Sequence, residues 1–141
     1  MSHRKLIDGW WERLEAGDLA GVLELCNPDV VCTMPGGLQI VGREQVRGLL
    51  QGYVTALPDM SHRIVRFVET GDACAVEIVV SGTMTGPLQT PQGPIPPTGK
   101  KVSLAACDVV TVKDGRIATW SAYFDNLDFM TQLGVLPGPG A

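Results

Sequence analysis

Apolar residues recur at helical spacing in three stretches of the first half of the chain. The first set is Leu6, Ile7, Trp10, Trp11 and Leu14; the second is Leu19, Val22, Leu23 and Cys26; the third is Val46, Leu49, Leu50, Tyr53, Val54 and Leu57. A repeat near 3.6 residues predicts three amphipathic helices. The pair Gly17-Asp18 separates the first two helices, and Gly42 and Pro58 bound the third.

The second half of the chain alternates apolar and polar residues, which is typical of strands. Strands are predicted near residues 61–69, 73–84, 101–112 and 116–124, after a brief strand from Val30 to Met34. Hairpin turns are expected at Gly71-Asp72 and Asp114-Gly115. A short final helix, residues 126–133, should end at Gly134. Helices followed by antiparallel strands predict an α+β fold, with one domain over residues 1–136 and a flexible tail over 137–141.

One carboxylate lies on the more apolar face of these strands. Period-two alternation places these residues on that face: Cys74, Val76, Ile78, Val80 and Met84; Val102, Leu104, Ala106, Asp108, Val110 and Val112; Ala118, Trp120, Ala122 and Phe124. This face should pack against the helices, so Asp108 should be buried and its pKa raised. Two interpretations stay open: a proton donor or acceptor in a site, or a structural partner of a buried backbone amide, Tyr53 or Arg63.

The opposite face is small and only mildly polar. It carries Ala75, Val79, Ala105, Cys107, Val109 and Tyr123. A sheet face this apolar should not stand alone in water. We therefore expect a homodimer through the outer sheet face.

A stretch with five prolines, residues 86–99, interrupts the strand pattern. The prolines are Pro87, Pro91, Pro94, Pro96 and Pro97. A loop this long in a small domain is often a lid or the mouth of a site. An ordered crossing of the surface is the equal alternative.

Composition narrows the function. The chain has 141 residues, 45% hydrophobic and 18% charged, with a net charge of -4. These values indicate a folded domain and disfavour nucleic-acid binding. Neither a membrane span nor a secretion signal is evident, so a cytoplasmic location is expected. The four cysteines contain no CxxC pair and should be free thiols near the core.

The motifs for cofactor, metal or serine chemistry are missing from the sequence. It has no glycine-rich phosphate loop and no serine nucleophile elbow. Its only histidines are His3 and His62, too few for a histidine-based metal cluster. We therefore expect neither a cofactor nor a metal ion.

An ordered set of short motifs resembles the SnoaL-like polyketide cyclases of the nuclear transport factor 2-like superfamily. The motifs are Ala16-Gly17-Asp18, Asn27-Pro28-Asp29, Gly42-Arg43-Glu44, Leu57-Pro58-Asp59, Gly82-Thr83-Met84-Thr85-Gly86, Pro97-Thr98-Gly99-Lys100, Asp114-Gly115-Arg116-Ile117, Tyr123-Phe124-Asp125 and Gln132-Leu133-Gly134. The resemblance covers nearly the whole chain. It implies a cone-shaped curved sheet wrapped around three N-terminal helices, a deep pocket, no cofactor and a dimer.

The resemblance also places family residues on this sequence. SnoaL-type cyclases have an acid/base Asp where this chain has Ala122, and a pocket His where it has Asp108. The Asp-Arg-Asp set of limonene epoxide hydrolases falls on Ala122, Ile78 and Val80. Three of the expected groups are therefore replaced by apolar side chains.

Ketosteroid isomerases match the same inner aspartate. Their protonated oxyanion-hole Asp falls on Asp108, their partner Tyr on Trp10 and their base Asp near Met34. Many SnoaL-like relatives have His where this chain has Met84. Asp125 precedes Asn126-Leu127 and is expected to cap the final helix instead.

These observations lead to one main hypothesis and two alternatives. The main hypothesis is a cofactor-independent cyclase or isomerase of an apolar, polyketide-like substrate, with Asp108 as the catalytic residue. The expected substrate-binding residues are Trp10, Met34, Tyr53, Ile78, Val80, Met84, Trp120, Ala122 and Phe124. The alternatives are non-catalytic binding of a hydrophobic small molecule and, more weakly, an epoxide hydrolase.

Overall fold

In the computed structural model, which describes residues 2–90 and 93–135, the chain forms four helices and eight strands. The helices are α1 (His3–Glu15), α2 (Leu19–Glu24), α3 (Arg43–Ala56) and α4 (Asn126–Leu133). The strands are β1 (Cys26–Met34), β2 (Leu38–Val41), β3 (Ser61–Thr70), β4 (Ala73–Thr83), β5 (Leu88–Thr90), β6 (Gly93–Ile95), β7 (Lys101–Lys113) and β8 (Arg116–Phe124). The predicted α+β fold is confirmed. The tail predicted over 137–141 lies outside the described residues.

Helix boundaries follow from side-chain caps. Asp18 starts α2 by accepting a hydrogen bond from the backbone N–H of Gly21 at 2.9 Å. Asp125 starts α4 in the same way, through the N–H of Asp128 at 3.0 Å, so its predicted role as a cap is confirmed. Gly134 closes α4 with φ of 75°, a left-handed conformation that favours glycine.

Six strands form one curved sheet in the order β2-β1-β8-β7-β4-β3. Neighbours are antiparallel except β1 and β8, which are parallel. Register shifts occur between Ile64 and Arg66 of β3 and between Thr111 and Val112 of β7. Such irregularities bend strands, and the helices pack on the inner face of this sheet.

Because of the register shift in β7, the predicted inward orientation of Ala118 in β8 is wrong. Simple alternation placed Ala118 on the inner face of β8. The structure buries Ile117 completely and leaves Ala118 only half-buried. Val112 pairs with Ile117, whereas Thr111 pairs with Thr119, so the alternation changes phase at this point.

Pairing between distant segments accounts for the other differences from prediction. The second helix ends at Glu24 rather than Cys26, because Cys26 already pairs with Ile117 of β8. Strand β2 was not predicted. The proline-containing stretch 86–99 includes two short paired strands, β5 and β6, in place of a plain loop.

All four cysteines are free thiols; Cys26, Cys32 and Cys74 are buried and Cys107 is half-buried. Within the described ranges, no helix has both the length and the apolar character needed to cross a membrane.

Candidate active site

An apolar cavity of about 120 Å³ lies between the inner sheet face and the helices. Its walls come from the helices α1 and α3 and from the strands β1, β4, β7 and β8, and α4 contributes Phe129. Among the described residues that line it, Asp108 is the only Asp, Glu, Lys, Arg or His. The cavity therefore presents one acid in hydrocarbon surroundings.

Asp108 lies in the middle of β7, with Val76 of β4 and Ala122 of β8 as its register partners. Its side chain is buried, with 4% of the residue exposed. Burial raises the pKa of the Asp108 carboxyl to about 7, because the ionised form loses hydration. The indole N–H of Trp120 has a smaller, opposite effect on that pKa.

Neither Arg63, nor Tyr53, nor a described backbone amide, the structural partners considered for Asp108, is found to bind its carboxyl. Arg63 is exposed and pairs with Val79, whose side chain points away from the helices. Neither Tyr53 nor a backbone amide in residues 2–90 and 93–135 hydrogen-bonds the Asp108 carboxyl, and no described cation lowers its pKa. With no cation beside it, nothing described offsets the effect of burial, and the neutral form of the carboxyl persists to a higher pH than in an ordinary aspartate.

Aromatic rings form the walls around this acid. Trp10 and Trp120 stack with ring centroids 4.2 Å apart and planes 20° apart. Trp11 meets Trp120 edge to face at 6.3 Å. Phe124 and Phe129 make a second edge-to-face pair at 5.9 Å. Interlocked rings of this kind fix the shape of the cavity.

Two further polar groups line the cavity in their neutral forms. Burial raises the pKa of the Cys32 thiol to about 12, and the nearby Asp108 adds to this shift. Burial also raises the pKa of the Tyr53 hydroxyl to about 12. Because the thiolate is the reactive form of cysteine, Cys32 is poorly suited to act as a nucleophile. Tyr53 can donate a hydrogen bond but is not ionised at neutral pH.

Trp11 adds a donor without an acceptor. Its indole Nε1 is fully buried, and no hydrogen-bond partner for it occurs within the described part of the chain. The face of the Trp11 ring stacks on the His62 ring, with the two centroids 5.3 Å apart. His62 in turn hydrogen-bonds Glu15. This arrangement fixes Trp11 in the cavity wall while His62 stays outside it.

A wider chamber of about 400 Å³ lies next to the inner cavity. Five residues line both spaces: Met34, Leu49, Tyr53, Phe124 and Phe129. The remaining lining residues are Pro35, Leu38, Gly48, Gly52, Leu88, Gln89, Thr90, Asn126 and Met130. Part of the proline-containing stretch therefore borders an open chamber, as a mouth would.

Most of the predicted site residues come together in the cavity. Those lining it are Asp108, Trp10, Met34, Tyr53, Val80, Trp120, Ala122 and Phe124. Ile78 and Met84 do not line it. Ile78 is buried in the core of β4, and Met84 lies beyond the end of β4, where its sulfur accepts a hydrogen bond from Thr98.

Sequence reasoning missed several wall residues. Cys32 could have been found, because it alternates with Val30 and Met34 on one face of β1. Trp11 belongs to the same helical stripe as Trp10. Phe129 gave no such signal, because its position depends on where α4 packs. Among the described residues, no group of three or more His, Cys, Asp or Glu side chains could bind a metal ion.

Comparisons with known proteins agree with this architecture. A family model described as SnoaL-like polyketide cyclase matches residues 4–133. The structure of IdmH from Streptomyces antibioticus, a candidate polyketide cyclase, is 31% identical with a TM-score of 0.75, covering 94% of this chain and 98% of that chain. No curated protein matches the sequence.

Two more distant structures share the fold. A candidate SnoaL-like polyketide cyclase from Jannaschia sp. CCS1 is 19% identical with a TM-score of 0.83, covering 95% of this chain and 92% of that chain. AclR from Streptomyces galilaeus, a candidate hydroxylase, is 22% identical with a TM-score of 0.78, covering 96% of this chain and 86% of that chain.

Proposed function

Since this chain belongs to the SnoaL-like polyketide cyclase family, we propose that it is a cofactor-independent enzyme that cyclises or isomerises an apolar, polyketide-like substrate. The observation that supports this most strongly is the buried Asp108, which lies in an aromatic cavity with no cation beside it among the described residues. The 31% identity to IdmH supports the substrate class.

Asp108 acts in its protonated form. With a pKa of about 7 it is available as a donor near neutral pH. It donates a hydrogen bond, or its proton, to a substrate carbonyl oxygen that gains negative charge in the transition state. When the proton is transferred, the Asp108 carboxylate takes a proton from the carbon next to the carbonyl as the enol forms, which restores the acid. In an apolar cavity this interaction is stronger than in water, because no solvent competes for the oxygen.

The shape of the cavity accounts for the rest of the proposed catalysis. The position opposite Asp108 on β8 is Ala122, so no second carboxyl faces the acid across the strands. The aromatic walls instead fold the substrate into a reactive conformation, which removes part of the entropic barrier to ring closure. Trp10, Trp120 and Phe124 are the main contributors to this wall.

The test is turnover by an isosteric variant. Wild type and Asp108→Asn are incubated with a panel of polyene and aromatic ketones, and products are separated by liquid chromatography and mass spectrometry. Asp108→Asn should lose about 100-fold or more in turnover. The matched control is Asp125→Asn, the same change at a helix cap where asparagine serves equally well. Unchanged turnover in Asp108→Asn would refute the acid role.

A second candidate is non-catalytic binding of a hydrophobic molecule. The apolar residues at Ala122 and Val80, where related enzymes carry acids, favour it. Thermal shift and product analysis with the same ketone panel, extended with small epoxides, distinguish catalysis from binding. A ligand that raises the melting temperature without any product selects the binding role, and hydrolysis of an epoxide would select the third alternative.

We also propose a homodimer through the outer sheet face. Register places Val109 beside Ala75 and Cys107 beside Tyr123, with Glu77 and Ser121 as their polar neighbours on the same face. Tyr123 is 60% exposed and Val109 is 38% exposed in the isolated chain. Light scattering after size-exclusion chromatography should give twice the chain mass of 15.0 kDa. A single-chain mass at low micromolar concentration would exclude the dimer.

A further inference from the structure

Two glycines in the interior of α3 open the wall of the outer chamber. Gly48 and Gly52 are four residues apart, so they share one face of the helix, and both line the chamber. Glycine in the interior of a helix makes the helix less stable than alanine at the same position would. A Cβ added at either position meets no atom within 4 Å. Packing therefore does not require glycine there; what the two residues provide is space in the chamber.

The inner cavity is too small to enclose a polyketide-like molecule. Its volume of about 120 Å³ compares with the roughly 150 Å³ of an engineered apolar cavity that binds benzene. A ligand with one ring at Asp108 must therefore extend elsewhere. The adjoining chamber shares Tyr53 and Phe129 with the cavity and offers the continuation.

The outer chamber offers polar groups but no charge. Its polar side chains include Gln89, Thr90 and Asn126, and no Asp, Glu, Lys or Arg lines it among the described residues. Thr90 already donates its hydroxyl to the carbonyl of Gly93. A ligand carboxylate or phosphate would lose hydration here without gaining a cationic partner, which is unfavourable.

We propose that the ligand is elongated and uncharged, with a ring ketone in the inner cavity and a chain ending in a neutral hydroxyl or carbonyl in the outer chamber. The chain lies along the Gly48–Gly52 face of α3, and its polar end meets Gln89 and Asn126. This assignment rests on the proposed function in taking the inner cavity as the site of the reacting carbonyl.

The first experiment compares two probes of equal length by isothermal titration calorimetry. One is a phenyl heptyl ketone with a terminal hydroxyl group, and the other is the same ketone with a terminal carboxylate. At a pH of about 6, Asp108 is mostly protonated while the probe carboxylate is ionised, so repulsion by Asp108 is small. The hydroxyl probe should bind about tenfold more tightly or better. Equal or tighter binding of the carboxylate probe would overturn the proposal.

The second experiment fills the chamber from α3. Gly52→Leu should weaken the binding of the hydroxyl probe about tenfold. The affinity for acetophenone, which has no chain to lie along α3, should change by less than about twofold. Gly52→Ala is a milder second variant and should give a smaller loss. The control is Gln51→Leu, which places the same leucine side chain at an exposed position of α3 that lines neither space and removes only an exposed hydrogen bond to Thr55.

Two outcomes contradict the assignment. Unchanged affinity of the hydroxyl probe in Gly52→Leu would show that the chain does not lie along α3. An equal loss for both probes would show that the two spaces do not bind separate parts of the ligand. Because binding is measured without turnover, these results are independent of whether Asp108→Asn loses activity.

Discussion

The inner cavity and the outer chamber share five wall residues yet differ in almost every physical property. The inner cavity is walled by three tryptophans, which are all the tryptophans of the chain, and contains the buried acid Asp108. The outer chamber has more than three times the volume, neutral amides and two helical glycines. Tyr53 lies at the junction of the two.

This difference indicates separate roles for the inner cavity and the outer chamber. A tightly packed aromatic wall around one desolvated acid can stabilise developing charge but tolerates little change in shape. A loosely filled chamber can accept different chains, since its wall makes few contacts that a substitution would break. Reactivity and ligand selection would then depend on different residues, which gives mutations in the two regions different consequences.

The largest expected contrast is in stability. Trp10→Ala in the inner wall should lower the free energy of unfolding by about 3–5 kcal/mol, because it removes a buried ring that stacks on Trp120. Leu38→Ala in the outer chamber should change it by less than about 0.5 kcal/mol, because Leu38 is 57% exposed. Urea unfolding followed by circular dichroism measures both. Similar losses in the two variants would mean that the chambers do not differ in packing.

The next contrast depends on pH. The Asp108 carboxyl has a pKa of about 7 in the folded protein and about 3.9 when unfolded. Between these values the unfolded chain binds fewer protons, so the free energy of unfolding falls as pH rises from about 4 to about 7. A difference of about three pKa units corresponds to at most about 4 kcal/mol.

Asp108→Asn isolates this contribution. The variant lacks the titrating group, so its stability relative to wild type should increase as pH rises through the same range and level off above pH 7. Urea unfolding at a series of pH values gives this difference directly. A difference that does not change with pH would mean that burial does not shift the Asp108 pKa.

The smallest predicted effect tests whether the outer chamber needs glycine at position 48 for packing. Gly48→Ala should raise the free energy of unfolding by about 0.4–1 kcal/mol, because alanine restricts the unfolded chain and the added Cβ meets no atom within 4 Å. Gly134→Ala is the contrasting case, since its φ of 75° and the nearby Lys100 side chain disfavour a Cβ. Loss of stability in Gly48→Ala would mean that the helix needs glycine for packing, not for space.

Local patterns predicted most of the fold. The stripe through Trp10 marked α1, and alternation along β7 placed Asp108 on the inner face, because both signals depend only on neighbours in sequence. The cap at Asp125 was likewise a local signal. The expected site residues that line the cavity are ones that lie on regular helices and strands.

Long-range pairing and packing were not predictable in the same way. The parallel pairing of β1 with β8 joins segments about ninety residues apart, and nothing in the β1 sequence specifies that partner. The position of Phe129 depends on how α4 packs over the cavity. Ile78 and Met84 were expected in the wall because the family resemblance places site residues at these positions. Alternation puts them on the inner face but does not give their distance from the cavity.

The central claim is that burial in the inner cavity raises the pKa of a lone acid, Asp108, to near neutral pH. Nuclear magnetic resonance titration of the Asp108 side-chain carboxyl carbon, assigned by comparison with Asp108→Asn, tests it most directly. The account predicts a midpoint near pH 7. A midpoint near the ordinary value of about 3.9 would show that the carboxylate is solvated or paired, and the proposed acid chemistry would be contradicted.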